Sequence, residues 1–160
     1  MINLNLRNCS NIFYDFDGVM TDNTVLVDEN GTESVRVNRS DGLAISELKK
    51  MGFSQAILST EKNQVVSMRA NKLGIPCMQG LEDKKSALLD YCTESGINPE
   101  LCVFVGNDIN DLEVMNLVGY PICPSDAHSK IISISRIVLN TKGGNGVIRE
   151  LLDLITYNHK

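Results

Sequence analysis

Short apolar runs along this chain alternate with segments of helical period. The first run, Ile12 to Tyr14, gives way to Asp15-Phe16-Asp17-Gly18. Thr24 to Val27 and Ser34 to Val37 are β-prone runs on either side of Asp28-Glu29-Asn30-Gly31. Asn-Gly between two such runs is a strong short-range hairpin signal, so a β-hairpin is predicted over residues 24–38. A helix capped by Asp41 follows, with Leu43, Ala44, Ile45 and Leu48 at helical spacing and Gly52 at its end. Beyond it the pattern predicts a strand at 55–59, a helix over about 62–73, a short strand near Cys77 and a helix over 84–95 ended by Gly96. A strand at 102–105, a helix over about 109–117, strands at 120–123 and 137–139 and a terminal helix from Gly146 to about Tyr157 complete the chain. Strands alternating with helices of about a dozen residues imply an α/β fold, a parallel sheet with helices on both faces. No repeat, low-complexity segment or internal linker interrupts it, and residues 1–160 are expected to form a single domain.

A formal charge of -5 argues against nucleic acid as a partner, because phosphate-backbone binding needs a clustered basic surface. Any anionic ligand must be held by a local site. The five cysteines are scattered, form no Cys-x-x-Cys pair and fall mostly within apolar patterns, which suggests reduced, structural thiols. The chain has no basic-then-apolar leader and no run near the ~18 apolar residues of a membrane span, so a cytoplasmic protein without membrane contact is expected. His128 and His159 read as surface residues rather than ligands.

Candidate chemistry begins with Asp15 and Asp17, two residues apart at the end of the first apolar run. A strand repeats its side-chain direction every second residue, so both project to one side at the carboxyl end, where open parallel sheets bind ligands. Two carboxylates so close repel each other and attract a hard divalent cation. Asp-Gly turn chemistry accounts for Asp17-Gly18 but not for Asp15. Three further features also follow strands. Ser59-Thr60 offers hydroxyls and helix N–H groups to a phosphate, or Thr60 is a helix cap. Lys84-Lys85 opens a helix at the positive end of its dipole, where a cation is disfavoured unless it neutralises an anion. Gly106-Asn107-Asp108-Ile109-Asn110-Asp111 supplies two carboxylates and two amides, or a loop capped by Asp108.

In this order, Asp-x-Asp, Ser/Thr, Lys and Gly-Asn-Asp-x-x-Asp resemble the four signature motifs of the haloacid dehalogenase superfamily of phosphohydrolases, through the whole chain. The resemblance implies a Rossmann-like sheet, a phosphatase rather than a dehalogenase, and Mg²⁺ as cofactor. It makes Asp15 the nucleophile that forms an aspartyl-phosphate and Asp17 the general acid and base. Ser59 and Lys84 hold the transferring oxygens, with Gly18 and Thr60 beside them. The metal is held by Asp15 and the Asp17 carbonyl, with Asn107 and Asp108 as joint candidates for the third ligand and Asp111 orienting the shell. Relatives carry Asp where this chain has Asn107, and Gly where it has Thr60.

About forty residues separate Asp17 from Ser59, and the hairpin and one helix use them, so no cap domain fits. This resembles the small capless tetrameric phosphatases of 3-deoxy-octulosonate 8-phosphate and of nine-carbon sugar acid phosphates, whose hairpins assemble four subunits and where a neighbour's tail closes the site. Ser40-Asp41-Gly42, Gln79-Gly80 and Gly143-Gly144-Asn145-Gly146-Val147-Ile148-Arg149-Glu150 extend the match. Glu61 and Arg69, eight residues apart, are expected on one helix face, looking toward the sugar hydroxyls and carboxylate. That favours a nine-carbon, sialic-acid-like 2-keto-3-deoxy sugar acid phosphate over an eight-carbon one. The alternative is a non-catalytic oligomerisation module of the kind joined to sugar cytidylyltransferases, which the missing carboxylate at Asn107 motivates.

Overall fold

The computed structural model describes residues 9–157, and His159 lies outside them. The six-residue stretch Asn11 to Phe16 is buried throughout, as a strand covered on both faces must be. Its first four residues form β1 (Asn11–Tyr14), central to a six-stranded sheet. The other strands are β4 (Ser54–Leu58), β5 (Cys77–Met78), β6 (Cys102–Val105), β7 (Tyr120–Cys123) and β8 (Ile137–Val138). They run parallel in the order β5-β4-β1-β6-β7-β8, with β2 (Leu26–Val27) and β3 (Glu33–Ser34) forming the separate hairpin.

Alternation along β1 divides the core. Ile12 and Tyr14 pack with Ala44, Ile45 and Leu48 of α1 (Arg39–Lys50), Val66 and Ala70 of α2 (Val65–Leu73), and Leu151 and Ile155 of α6 (Val147–Tyr157). Phe13 faces the other way, onto Leu88 and Cys92 of α3 (Lys84–Ser95), Val114 and Met115 of α4 (Leu112–Leu117) and Ile131 of α5 (Ser129–Ile134). Two polar side chains inside pair with each other and with the main chain: the Tyr14 hydroxyl donates to Gln55 Oε1 at 2.7 Å, and Gln55 Nε2 donates to the Ile45 carbonyl at 3.0 Å. All five cysteines are free; four are buried and Cys77 is half-buried. Burial pushes Cys9 up to about 11 and Cys102 up to about 12, so these thiols are packing groups.

Several local features differ from the sequence expectation. The hairpin expected over residues 24–38 pairs only Leu26–Val27 with Glu33–Ser34, across a turn in which Gly31 takes a φ of 79°. Asp28 forces this, since its carboxylate accepts from the N–H groups of both Asn30 and Thr32. Asp41 does not cap α1: Asn38 does, accepting from Ser40 N–H. Leu43 points outward while Ala44, Ile45 and Leu48 are buried. The helix expected from residue 62 begins at Val65, and α5, a six-residue helix, was not expected. His128 is exposed and caps α5 through Nδ1.

The order of the sheet positions the site. The chain steps outward from β1 to β4 and β5, then returns across the sheet to β6 on the other side of β1. Such a reversal leaves a crevice at the carboxyl ends of the central strands, here β4, β1 and β6.

Candidate active site

The three central strands deliver Asp15, Ser59 and Asn107 to that crevice, one residue beyond β1, one beyond β4 and two beyond β6. Asp15 is 4% exposed. Its Oδ1 accepts from the Phe16 N–H at 2.8 Å and from Lys84 Nζ at 2.7 Å. Lys84 is the first residue of α3, buried, and also donates to Asp111 Oδ1 at 2.7 Å. The anion that its place at a helix start calls for is therefore this pair of carboxylates. Burial pushes Asp15 up to about 7, with Asp111 adding to the rise and Lys84 opposing it. Burial is the largest cause, and one lysine shared by two carboxylates does not offset it. Burial pulls Lys84 down, but the two carboxylates outweigh it and hold its ammonium above the ordinary value.

Both oxygens of Asp111 are engaged. Its Oδ2 accepts from the N–H groups of Asn107 at 2.9 Å and Asp108 at 3.3 Å while Oδ1 takes Lys84. It braces the main chain of Asn107 and Asp108 from behind. Asp108 is exposed and caps the 3-10 turn Ile109–Asp111 through the Ile109 N–H. Asn107, by contrast, is 7% exposed and reaches inward. One terminal atom of its amide lies 3.0 Å from Asp15 Oδ2 and 2.9 Å from the Asp17 carbonyl oxygen. With nitrogen inward the amide donates to both of these acceptors, the orientation that satisfies all three groups without a cation.

The same spacing suits a metal. Oxygens bound side by side on an octahedral cation at 2.0–2.1 Å are separated by about 2.9–3.0 Å. With the amide turned, Asp15 Oδ2, the Asp17 carbonyl and Asn107 Oδ1 are three oxygen donors suited to a hard cation. Among the described residues no cluster of three His, Cys, Asp or Glu side chains could hold a metal, because two of these three donors are a main-chain carbonyl and an amide. Gly18 makes the approach feasible. It has a φ of 85°, and a Cβ there would fall 1.9 Å from the Asn107 amide.

Asp17 is half-buried, and burial raises its carboxyl, helped by Glu61 and opposed by Lys84. It lines a cavity of about 260 Å³ with Glu33, Glu61, Asn63, Val25 and Val35. Glu61 is not on α2. Its carboxylate accepts from the N–H groups of Lys62 and Asn63, a local turn that delays the helix. Ser59 does not open that helix either, and its hydroxyl accepts from the Glu61 N–H at 3.1 Å. Thr60 is exposed and meets Asn110 Nδ2 at 3.3 Å. Arg69 is not brought to the cavity: it donates to the Asn38 carbonyl at 3.1 Å beside α1, so the shared helix face expected for Glu61 and Arg69 does not exist.

Sequence reading missed Glu33, Asn63 and Thr21. Asn63 Nδ2 donates to Glu33 Oε2 at 3.2 Å, tying the hairpin to the loop that bears Glu61. Strand alternation could have exposed Glu33, since Val35, two residues on, packs toward the core. Thr21 Oγ1 accepts from the N–H groups of Gly18 and Asn23 and shapes the loop after β1. The glycine-rich loop packs beneath: a Cβ on Gly143 would fall 2.2 Å from the Gly18 carbonyl, and one on Gly144 2.4 Å from the Asp22 nitrogen.

Residues 45–151 match the family described as haloacid dehalogenase-like hydrolase. The 3-deoxy-D-manno-octulosonate 8-phosphate phosphatase KdsC of Yersinia pestis is 34% identical over 142 residues, 88% of this chain and 76% of its own length. A structure assigned to the HAD family hydrolases, from Streptomyces avermitilis MA-4680, superposes with a TM-score of 0.89 at 45% identity, covering 91% of this chain and 84% of that one. That of the 3-deoxy-D-manno-octulosonate 8-phosphate phosphatase of Moraxella catarrhalis, in complex with magnesium ion, phosphate ion and KDO, gives 0.93 at 29% identity over 98% and 91%. With β1, β4, α3 and β6 converging as described and only a hairpin and one helix between β1 and β4, the chain belongs to the haloacid dehalogenase-like hydrolase family, in a branch without a cap domain.

Proposed function

We propose that this protein is a Mg²⁺-dependent phosphatase of a 2-keto-3-deoxy sugar acid phosphate, working through an aspartyl-phosphate. The observation that carries the reading is the buried cluster in which Lys84 holds Asp15 at 2.7 Å while the Asn107 amide lies 3.0 Å from Asp15 Oδ2 and 2.9 Å from the Asp17 carbonyl. Asp15 Oδ1, oriented by the Phe16 N–H and Lys84, attacks phosphorus and displaces the sugar oxygen. Asp17, raised by burial and by Glu61, keeps a proton for the leaving sugar oxygen and then takes one from the attacking water. Ser59 and Lys84 hold the transferring oxygens. Asp15, the Asp17 carbonyl and Asn107 would hold the cation, which when bound would supply charge neutralisation between nucleophile and phosphate. Asp108, turned outward, does not take part.

The sugar lies in the cavity between hairpin and loop. Its three carboxylates, Asp17, Glu33 and Glu61, suit hydroxyl donors, which supports a long polyol tail and the nine-carbon substrate over the eight-carbon one. The hairpin leaves Val25, Leu26 and Val27 exposed, Leu26 by 77%, which supports a homotetramer assembled through it. Phosphate release from nine- and eight-carbon 2-keto-3-deoxy sugar acid phosphates, with Mg²⁺ or with EDTA, tests the reading. Faster turnover of the nine-carbon compound, dependence on Mg²⁺ and no turnover by Asp15→Asn are expected. Unimpaired turnover by Asp15→Asn would refute the mechanism.

A further inference from the structure

We propose that Asn107 divides the site's affinity between cation and phosphate: its amide stands in for the metal when none is bound, and its neutrality keeps positive charge available for the phosphate once the metal is in place. The inference rests on the phosphatase reading above and deepens it.

The main chain of Asn107 is pinned on both sides. Its N–H donates to Asp111 Oδ2 at 2.9 Å and its carbonyl accepts from the His128 N–H at 2.8 Å. Its side chain is confined against Gly18, where even a methyl group would collide. The residue therefore answers a cation by turning its amide in place. With nitrogen inward, it donates to Asp15 Oδ2 and the Asp17 carbonyl at 3.0 and 2.9 Å, the two oxygens a cation needs. With oxygen inward, it joins them as a third ligand at octahedral spacing. With nitrogen inward the site is self-satisfied, and a cation would have to displace two buried hydrogen bonds to enter.

Charge sets the other half. Lys84 between Asp15 and Asp111 leaves one negative charge in the buried cluster. A divalent cation converts this to one positive charge when residue 107 is an amide, and to none when it is a carboxylate. An amide therefore gives up metal affinity and favours the anionic phosphate. Asparagine and aspartate have nearly the same shape, so Asn107→Asp separates this effect from packing.

Titration calorimetry of wild-type and Asn107→Asp protein, first with Mg²⁺ and then with inorganic phosphate at saturating Mg²⁺, reads both affinities. We expect Mg²⁺ to bind about tenfold or more tightly to the variant, in line with the effect of ligand charge and surroundings on metal sites, and phosphate to bind several-fold more weakly. Affinities that fall together, as a packing defect would make them, or Mg²⁺ binding no tighter in the variant, would overturn the inference while leaving the phosphatase intact. Mg²⁺ binding to neither protein would overturn both. A second measurement needs only wild-type protein: the Asn107 side-chain NH₂ signals of ¹⁵N-labelled material should exchange slowly without metal, then shift and exchange faster with Mg²⁺. Signals unmoved at saturation would remove the stand-in role.

Discussion

Replacing Lys84 with methionine tests the electrostatic centre of the molecule. The substitution keeps an unbranched side chain of similar reach and deletes only the charge. The side chains of Lys84, Asp15 and Asp111 are 1%, 5% and 0% exposed, so water cannot take the lysine's place. Breaking a buried ion pair from one side costs about 3–5 kcal/mol, and here two carboxylates lose their cation at once, which points to the upper end. Against a typical domain stability of about 5–15 kcal/mol this is a large fraction. The cost also has a pH signature. Asp15 in the folded wild type is already raised to about 7, above its unfolded value, so the folded state binds the extra proton. Stability from this group is present at low pH and is lost as pH rises through about 7. Without Lys84 the Asp15 carboxyl rises further, so the loss grows across neutral pH and shrinks toward pH about 4–5, where protonation removes the repulsion. Urea unfolding of both proteins in EDTA at several pH values measures it. A penalty below about 1 kcal/mol at neutral pH, or one that does not change with pH, would show that the triad is not the buried electrostatic unit described.

Asp41→Ala removes the cap of α6, whose first N–H groups, on Ile148 and Arg149, donate to Asp41 Oδ1 at 3.0 and 3.1 Å, and should cost about 1–2 kcal/mol by denaturant unfolding. Burial raises Asp41 to about 6, so Asp41→Asn should lose part of the wild type's decline in stability as pH rises through 6, and an unchanged profile would count against that cause. Gly144→Ala places a methyl group against the main chain of Thr21 and Asp22 at a φ of 71°; loss of several kcal/mol and of turnover is expected, and a stable, active variant would show that the loop does not support the site. Leu26→Lys puts a charge on the exposed hairpin strand and should shift sedimentation toward smaller species while the far-ultraviolet circular dichroism stays unchanged, and undisturbed assembly would remove the hairpin from the interface.

The sequence by itself determined the sheet and the places where chemistry could sit. Ile12 to Tyr14 and Cys102 to Val105 are continuous apolar runs because both faces of those strands are buried, and Gly96 ends α3 because only glycine enters the left-handed region, φ 66°, without strain. Asp15, Asp17, Ser59, Lys84 and the Gly106–Asp111 segment were legible because a parallel sheet puts every strand's carboxyl end at one edge. Which of these side chains meet was decided by tertiary structure. Asp41 lies in the first turn of α1 but its carboxylate serves α6, a partner more than a hundred residues away that local pattern cannot reveal. Glu61 and Arg69 looked like neighbours by spacing, until a side-chain turn at Glu61 delayed the helix and sent them to different places. Ser129 to Ile134 carries no helical signal long enough to predict an element, and packing of Ile131 beneath the sheet makes it a helix. Asn107 and Asp108 are adjacent and chemically alike as candidates, and the backbone direction at the end of β6 alone turned the amide inward and the carboxylate out.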